Sequence, residues 1–388
     1  MIPYGRQEIT DSDIEEVEKV LKSDFLTQGP VVPKFEHSVT NYCGASYGVA
    51  VNSATSALHI ACLALGLKKG DYLWTSPNTF VASANCARYC GASVDFVDIN
   101  SNTFNMSVDA LSAKLKEAEK KGKLPKIVIP VHFAGQPCEM EAIHKLSKKF
   151  GFKIIEDASH AIGASYDEIK VGSCVHSDIT VFSFHPVKII TTGEGGMALT
   201  NNKDLADKMY RFRVHGITYD KGAMLQRPKD EIWNYQQIEL GFNYRMNDIQ
   251  AALGVSQIKR LDDYIKIRHN IAKRYNKEFQ SLLIKTQQQL PGVYSSFHLY
   301  SVCFEENNKG TIQKNIYNTL RKNGIAVNVH YIPVHRHPYY ENLGFKKEDF
   351  PKAEQFYREA ISLPIYPSLS NKQQDFVIQS IVSVLKNI

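Results

Sequence analysis

The chain has 388 residues, 43% of them hydrophobic and 22% charged, with a formal net charge of +6. That balance excludes a disordered chain and leaves room for a large domain with a substantial core plus a smaller one, while so small a charge gives no argument for nucleic acid. Seven cysteines without a C-x-x-C pair indicate neither a zinc knuckle nor a disulfide framework, and polar residues break the most apolar window (residues 47–71), so the expectation is a reduced, soluble, cytoplasmic protein without a membrane span.

The predicted elements alternate through the first two thirds. A helix over Ser12–Lys22 is followed by a strand at "YGVAV", a helix at "SALHIACLALGL", a strand at "YLWTS" and a helix at "TFVASANCARYCG" closed by Gly91. Then come a strand at "SVDFVDI", a helix at "VDALSAKLKEAEKKG", a strand at "KIVIPVHF" and a helix at "EMEAIHKLSKKFG" ended by Gly151. Strands follow at "FKIIED" and "DITVFSF", with strand-like "IKVGS" between them. Repeated strand–helix–strand units predict a mostly parallel sheet with helices on both faces. From Asn247 the pattern changes to a long helix or helix pair ending at Phe279, then "HLYSVCF", a helix at "IQKNIYNTLRKNG", "IAVNVHY" and a final helix. The change places a boundary between residues 250 and 265, giving a large domain of residues 1–255 and a smaller α+β domain of residues 256–388.

In open α/β sheets ligands bind beyond the carboxyl ends of the strands. There the chain places Asn52–Ser56 at a helix start, either an ordinary N-cap or an anion site. Phe80 follows the next strand, as a core anchor or as a stacking face for a flat ring. Asp157 ends a very apolar strand, as a helix cap or as the partner of a cation. Ser183 stands at the end of "DITVFSF", within reach of a phosphate, and Lys188 lies 31 residues beyond Asp157 in "FSFHPVKIITTGEGG". A lysine in so apolar a run either snorkels or loses its proton and becomes a nucleophilic amine. Each has an ordinary explanation singly. Together and in this order they supply what a pyridoxal cofactor needs: an anion cradle, a ring face, an acid for the ring nitrogen and an imine-forming lysine.

Other motifs fail on context. "GEGGMAL" lacks G-x-G-x-x-G and precedes a strand, and no Walker A, H-E-x-x-H or G-x-S-x-G sequence occurs. His330, His335 and His337 have no cysteine or paired carboxylate at ligand spacing, so no metal is expected.

The pieces "LTQGPVVPKFE", "NSATSALH", "SPNTFVASAN", "EDASHAIGA", "FSFHPVKIITTGEGG", "RVHGI" and "ELGFNYRMNDIQAALG" span nearly the whole chain. They resemble the DegT/StrS-like group of fold-type I aminotransferases, which use pyridoxal 5'-phosphate (PLP) and act on nucleotide-linked keto-sugars. The resemblance implies an α/β fold with a mostly parallel mixed sheet in a large PLP-binding domain. It assigns the cofactor-bound lysine to Lys188, the ring-nitrogen acid to Asp157 and a place near the ring's phenolic oxygen to His160. Phe80 would stack on the ring, and Ala54, Thr55 and Ser183 would hold the phosphate. Asn243 would reach the phosphate of a neighbouring subunit, implying a homodimer with shared sites. Tyr4, Phe25, Leu26, Thr27, His330 and Tyr331 would contact the sugar nucleotide. "NSATSALH", "SFHPVKIITTGEGG" and the tail from "VHYIPV" to "SLPIYPSL" look most like the branch that aminates UDP-2-acetamido-2,6-dideoxy-β-L-arabino-hexos-4-ulose on the route to pseudaminic acid.

The resemblance implies L-glutamate as donor, with the freed Lys188 amine as general base. Relatives that dehydrate sugars carry histidine at the lysine position, so lysine here favours transamination. The alternatives are the same chemistry on a bacillosamine or perosamine precursor, or a non-catalytic binding protein on this fold.

Overall fold

A computed structural model describes residues 1–226, 230–305 and 311–386. Seven strands form its central sheet: β1 (Tyr47–Val51), β2 (Tyr72–Thr75), β3 (Ser93–Phe96), β4 (Ile127–Ile129), β5 (Lys153–Asp157), β6 (Ile179–Ser183) and β7 (Gly196–Thr200). Their spatial order is β1-β7-β6-β5-β4-β2-β3. All pairs from β6 to β3 are parallel. β7 runs antiparallel to both neighbours, with Gly196 opposite Val51 and Ser183. Only a loop joins β6 to β7, and without a crossover helix the chain can return only antiparallel.

Strands β1, β2, β4, β6 and β7 are mostly apolar and almost wholly buried because both faces of the sheet are covered. The helices are α1 (Asp11–Leu21), α2 (Val31–Cys43), α3 (Ala54–Ala64), α4 (Ala82–Tyr89), α5 (Val108–Lys120), α6 (Met140–Phe150), α7 (Lys203–Phe212), α8 (Asp248–Gln257) and α9 (Leu261–Phe279). Val49, Val51, Ile129 and Val181 face α3 and α4 in one core. Ala50, Phe182, Met197 and Leu199 turn the other way, onto α2 and α8. The alternation along β1 shows the strand's two-residue period at work. Among the described residues no helix is long and apolar enough to cross a membrane.

Past α9 the chain builds an antiparallel sheet of Ile284–Thr286, Tyr300–Phe304 and Ala360–Leu363. Helices Thr311–Lys322 and Asn371–Lys386 cover it, around Tyr275, Val302, Ile316 and Val377. Residues 334–356 return to the first core, where Val334, Tyr340, Phe350 and Phe356 pack with Phe96, Phe104 and Phe133.

Several elements differ from the sequence expectations. Helices α2 and α7 had no counterpart among them. The helical stretch from Asn247 to Phe279, by contrast, takes the expected helix-pair form, α8 and α9 meeting at a 3-10 turn, Ile258–Arg260. "IKVGS" gives no strand of the central sheet: Ile169–Lys170 pairs with Ser165–Tyr166, which pairs with Val293–Tyr294 in a separate small sheet. Of "IAVNVHY" only Ile325–Ala326 is a strand, beside Ile2–Pro3, and Asn328 makes no more than a single bridge to Ser362.

Candidate active site

A cavity of about 590 Å³ opens at the carboxyl ends of β5 and β6, bordered by Tyr4, Ala54, Thr55, Phe80, Asp157, His160, Ser183, Lys188, His330 and Tyr331. The sheet delivers most of these: β5 and β6 end in Asp157 and Ser183. The β1–α3 turn brings Ala54 and Thr55, and the loop after β6 brings Lys188. His330 and Tyr331 arrive from the C-terminal part of the chain.

At one end stands the N-terminus of α3, capped by Ser53, whose hydroxyl accepts from the Ser56 N–H at 3.2 Å. The first amides of a helix have no partner within it and favour an anion. Helix and sheet approach closely because position 196 is glycine: a Cβ there would collide with Ala54 N and the Ser53 carbonyl. The "GEGG" turn is therefore a packing requirement of this cradle, with Gly193 at φ +78° making the bend.

Asp157 is 5% exposed. Its Oδ1 accepts from the Ser159 N–H at 3.1 Å and hydroxyl at 2.6 Å. Its Oδ2 accepts from the Ser83 hydroxyl at 2.6 Å. The carboxylate is thus braced on both oxygens within the same cavity as an amine. Desolvation pushes that amine, Lys188, down to about 8, while Asp157 opposes the shift. A lysine poised there holds and releases a proton near neutrality.

The remaining wall is made of histidines kept neutral. Burial lowers His160, and Lys188 and His330 add to it. His330 is pushed down to about 3 by burial and then Lys188. His160 Nδ1 accepts from the Ala134 N–H at 3.3 Å, so its proton sits on Nε2, which faces the Tyr331 hydroxyl at 3.0 Å. Asn328 Nδ2 lies 3.4 Å from His330 Nε2, so His330 Nδ1–H donates to the Ser362 hydroxyl at 2.9 Å. Tyr4 packs on His330 with ring centroids 5.0 Å apart. Phe80 lies at the rim, 59% exposed, with its ring 6.2 Å from Tyr331.

Phe25, Leu26, Thr27 and Asn243 do not border this cavity within one chain. Phe25 and Leu26 are exposed on the loop before α2, and Asn243 is exposed on the segment before α8. Asp248 secures that loop: Oδ2 accepts from Gly29 N–H and Oδ1 from Val31 N–H, each at 2.8 Å, while its own N–H donates to Leu26 O at 3.0 Å. His335 lies in the core against Phe350 and 3.4 Å from Glu354.

Sequence reasoning missed His298, Ser83 and Ser159. His298 is 4% exposed, borders the cavity and packs its ring 4.4 Å from His160. The polar head of "HLYSVCF" was its one signal. Ser83 sits on a helix with the serine facing inward, which no local pattern distinguishes from an ordinary small core residue.

The residues fit PLP: a cradle of helix amides, a braced carboxylate, an amine of lowered pKa and an aromatic at the rim share one cavity. A model of the DegT/DnrJ/EryC1/StrS aminotransferase family matches residues 7–382. A Campylobacter jejuni (serotype O:2) UDP-4-amino-4,6-dideoxy-N-acetyl-β-L-altrosamine transaminase is 38% identical over 402 residues, covering 100% of this chain and 98% of that protein. Among solved structures, Helicobacter pylori PseC, an aminotransferase involved in the biosynthesis of pseudoaminic acid, is 31% identical with a TM-score of 0.90, covering 100% of both chains. A Streptococcus pneumoniae protein, Spr1654, in its PLP form is 30% identical with a TM-score of 0.89, covering 100% of this chain and 99% of that one. The non-catalytic alternative falls with these matches. The chain belongs to the DegT/DnrJ/EryC1/StrS aminotransferase family and is a PLP-dependent sugar aminotransferase.

Proposed function

We propose that this chain moves the amino group of L-glutamate to C4 of UDP-2-acetamido-2,6-dideoxy-β-L-arabino-hexos-4-ulose, in pseudaminic acid biosynthesis, as a cytoplasmic homodimer. The observation that carries it is the buried Lys188 amine, held down to about 8 in one cavity with Asp157 and the N-terminus of α3. The names of the Campylobacter and Helicobacter relatives support this sugar.

In this reading Lys188 Nζ would hold the cofactor at its aldehyde end, and the amides of Ala54 and Thr55 with the Ser183 hydroxyl would hold its phosphate. When bound, the cofactor supplies an electron-withdrawing ring that stabilises negative charge at the carbon losing a proton. Asp157, braced by Ser83 and Ser159, keeps the ring nitrogen protonated. Once the donor's amine has displaced it, the Lys188 Nζ amine would be the base that takes the proton from the donor's α-carbon. His160 orients the ring through its neutral imidazole, and Phe80 covers it. Tyr4, His330 and Tyr331 contact the sugar nucleotide. Asn243 and the Phe25–Thr27 segment are exposed outside this chain's cavity and complete the shared sites with a second copy. Tyr219, Leu225, Ile232, Trp233 and Leu240, all 72–91% exposed, supply apolar surface for that copy to cover.

The test feeds L-glutamate to the loaded enzyme, removes the excess, and then offers UDP-4-keto-sugars one at a time with mass detection of the amino sugar. An aminated product from the L-arabino ketosugar, and a sedimentation mass of two chains, are the expected results. Turnover of a different ketosugar with none of this one overturns the substrate assignment.

A further inference from the structure

The His160 imidazole is clamped from three sides. Beyond β4 the backbone is left-handed at Ala134 and Gly135, φ +60° and +101°, and the Ala134 N–H meets His160 Nδ1 at 3.3 Å. Position 135 has no room for a side chain, since a Cβ would collide with the His160 carbonyl and Phe297 N. Ser296 ties the same place together: its hydroxyl donates to the His160 carbonyl at 2.7 Å and its N–H to the Gly135 carbonyl at 3.0 Å. His298 covers the ring at 4.4 Å, and the buried Arg268 guanidinium fixes the Phe297 and His298 carbonyls at 3.2 and 3.3 Å.

The clamp sets a direction for hydrogen bonding. A backbone N–H only donates, so His160 Nδ1 presents a lone pair and its proton is on Nε2. Nε2–H therefore donates to the Tyr331 oxygen at 3.0 Å. Two hydrogens cannot share one contact, so the phenol's own O–H turns away from His160. Tyr331 borders the cavity, and among the described residues no other hydrogen bond holds its hydroxyl. Burial pushes this phenol above its ordinary range, so it keeps its proton at neutral pH. The titratable groups facing it are His160, His330, Tyr4 and Asp157. His330 is engaged at both nitrogens, by Ser362 and Asn328, and Asp157 is engaged by Ser83 and Ser159.

We infer that Tyr331 is a one-way hydrogen-bond donor to the C4 keto oxygen of the sugar, a specificity-determining contact whose direction the Ala134–His160 pair imposes. The inference rests on the reading of Tyr331 as a sugar contact and adds its polarity. A keto oxygen has lone pairs and accepts. The ammonium group that replaces it in the product has none, and meets the O–H with N–H. The same hydroxyl thus favours substrate over product at the one atom that the reaction changes. A freely rotating hydroxyl would serve either ligand, as donor or as acceptor, and would discriminate less.

The test is calorimetry on two pairings that cannot react. One is the UDP-4-keto-sugar with the PLP form, which has no amino group to give; the other is the 4-amino-sugar product with the pyridoxamine form. Tyr331→Phe should weaken keto-sugar binding about tenfold, because the buried keto oxygen loses its partner, and should leave amino-sugar binding within about twofold. Equal weakening of both ligands marks a merely structural role and overturns the proposal, as does an unchanged keto-sugar affinity. Tyr331→3-fluorotyrosine keeps the ring while making the phenol more acidic and a better donor, and so serves should the phenylalanine variant fold poorly. Keto-sugar binding should then tighten at neutral pH and fail at a lower pH than in wild type, because an ionised phenol cannot donate; weaker binding at neutral pH overturns the proposal. Should the wild type aminate only a different UDP-4-keto-sugar, the substrate assignment falls, and the same two measurements with that sugar and its amine decide the role of Tyr331.

Discussion

Gly196→Ala isolates the phosphate cradle from the rest of the site. A Cβ at 196 would run into Ala54 N and the Ser53 carbonyl, backbone atoms that cannot rotate aside. Forcing one extra methyl into such a contact costs about 1–3 kcal/mol. Relief comes by moving the first turn of α3 away from β7, which carries the Ala54 and Thr55 amides off the phosphate position. One lost hydrogen bond to a charged group is worth about 1.5–3 kcal/mol. At 1.4 kcal/mol per factor of ten, PLP should bind roughly tenfold to a hundredfold more weakly. Equilibrium dialysis of the apo variant against PLP measures this, and inorganic phosphate as competitor reports on the cradle alone. The variant should also unfold at a lower temperature without cofactor. Wild-type PLP affinity in Gly196→Ala would refute the reasoning, since the collision would then have been absorbed without displacing the amides.

The other predictions concern neighbouring groups. Lys188→Met in the apo protein should be stabilising near neutral pH. The folded state holds Lys188 at about 8 against 10.5 unfolded, so the unfolded chain binds more protons between those values and wild-type stability gains with rising pH across that window. The gap between variant and wild type should therefore shrink from about 3 kcal/mol at pH 7 toward zero above pH 10.5, read by urea unfolding at each pH; a gap that does not change with pH contradicts the burial of the amine. Ser83→Ala removes the hydroxyl on Asp157 Oδ2 and should raise the cofactor off-rate about tenfold, from about 1.5 kcal/mol lost with one charge-assisted bond. An unchanged off-rate shows that Asp157 holds its place without it. Asp248→Ala strands the amides of Gly29, Val31 and Val32, costing about 2–4 kcal/mol of stability. Its KM for the sugar should rise while cofactor affinity stays put; a variant that instead loses cofactor refutes the role of this loop in sugar binding.

Much of the sheet was legible before any coordinates. β1, β2 and β6 are largely apolar and β5 carries Ile154–Ile155 at its centre, each flanked by polar turns, a pattern that strands buried on both faces force on their sequence. Helix α2 was hidden because "PVVPKFEHSVTNYC" opens with two prolines, which read as a loop although proline is tolerated in a helix's first turn. What completes that turn is Asp248, more than two hundred residues away, so nothing local announces the helix. "IKVGS" failed for the opposite reason: its β-propensity is real, but a two-residue pairing beside Val293–Tyr294 satisfies it and the central sheet has no vacancy there.

The same division holds in the cavity. The sequence alone determined which chemical groups stand at the strand ends, because Asp157, Ser183 and Lys188 occupy fixed offsets from apolar runs whose direction is dictated by burial. Only the tertiary structure decided their states. Lys188 is down at about 8 because parts of the chain remote in sequence close around it. Asp157 is held by a serine 74 residues earlier, on α4. His298 and Tyr331 reach His160 from the C-terminal part of the chain. Proton affinity depends on desolvation and on neighbours a few ångströms away, and those are set by packing between segments rather than by order along the chain.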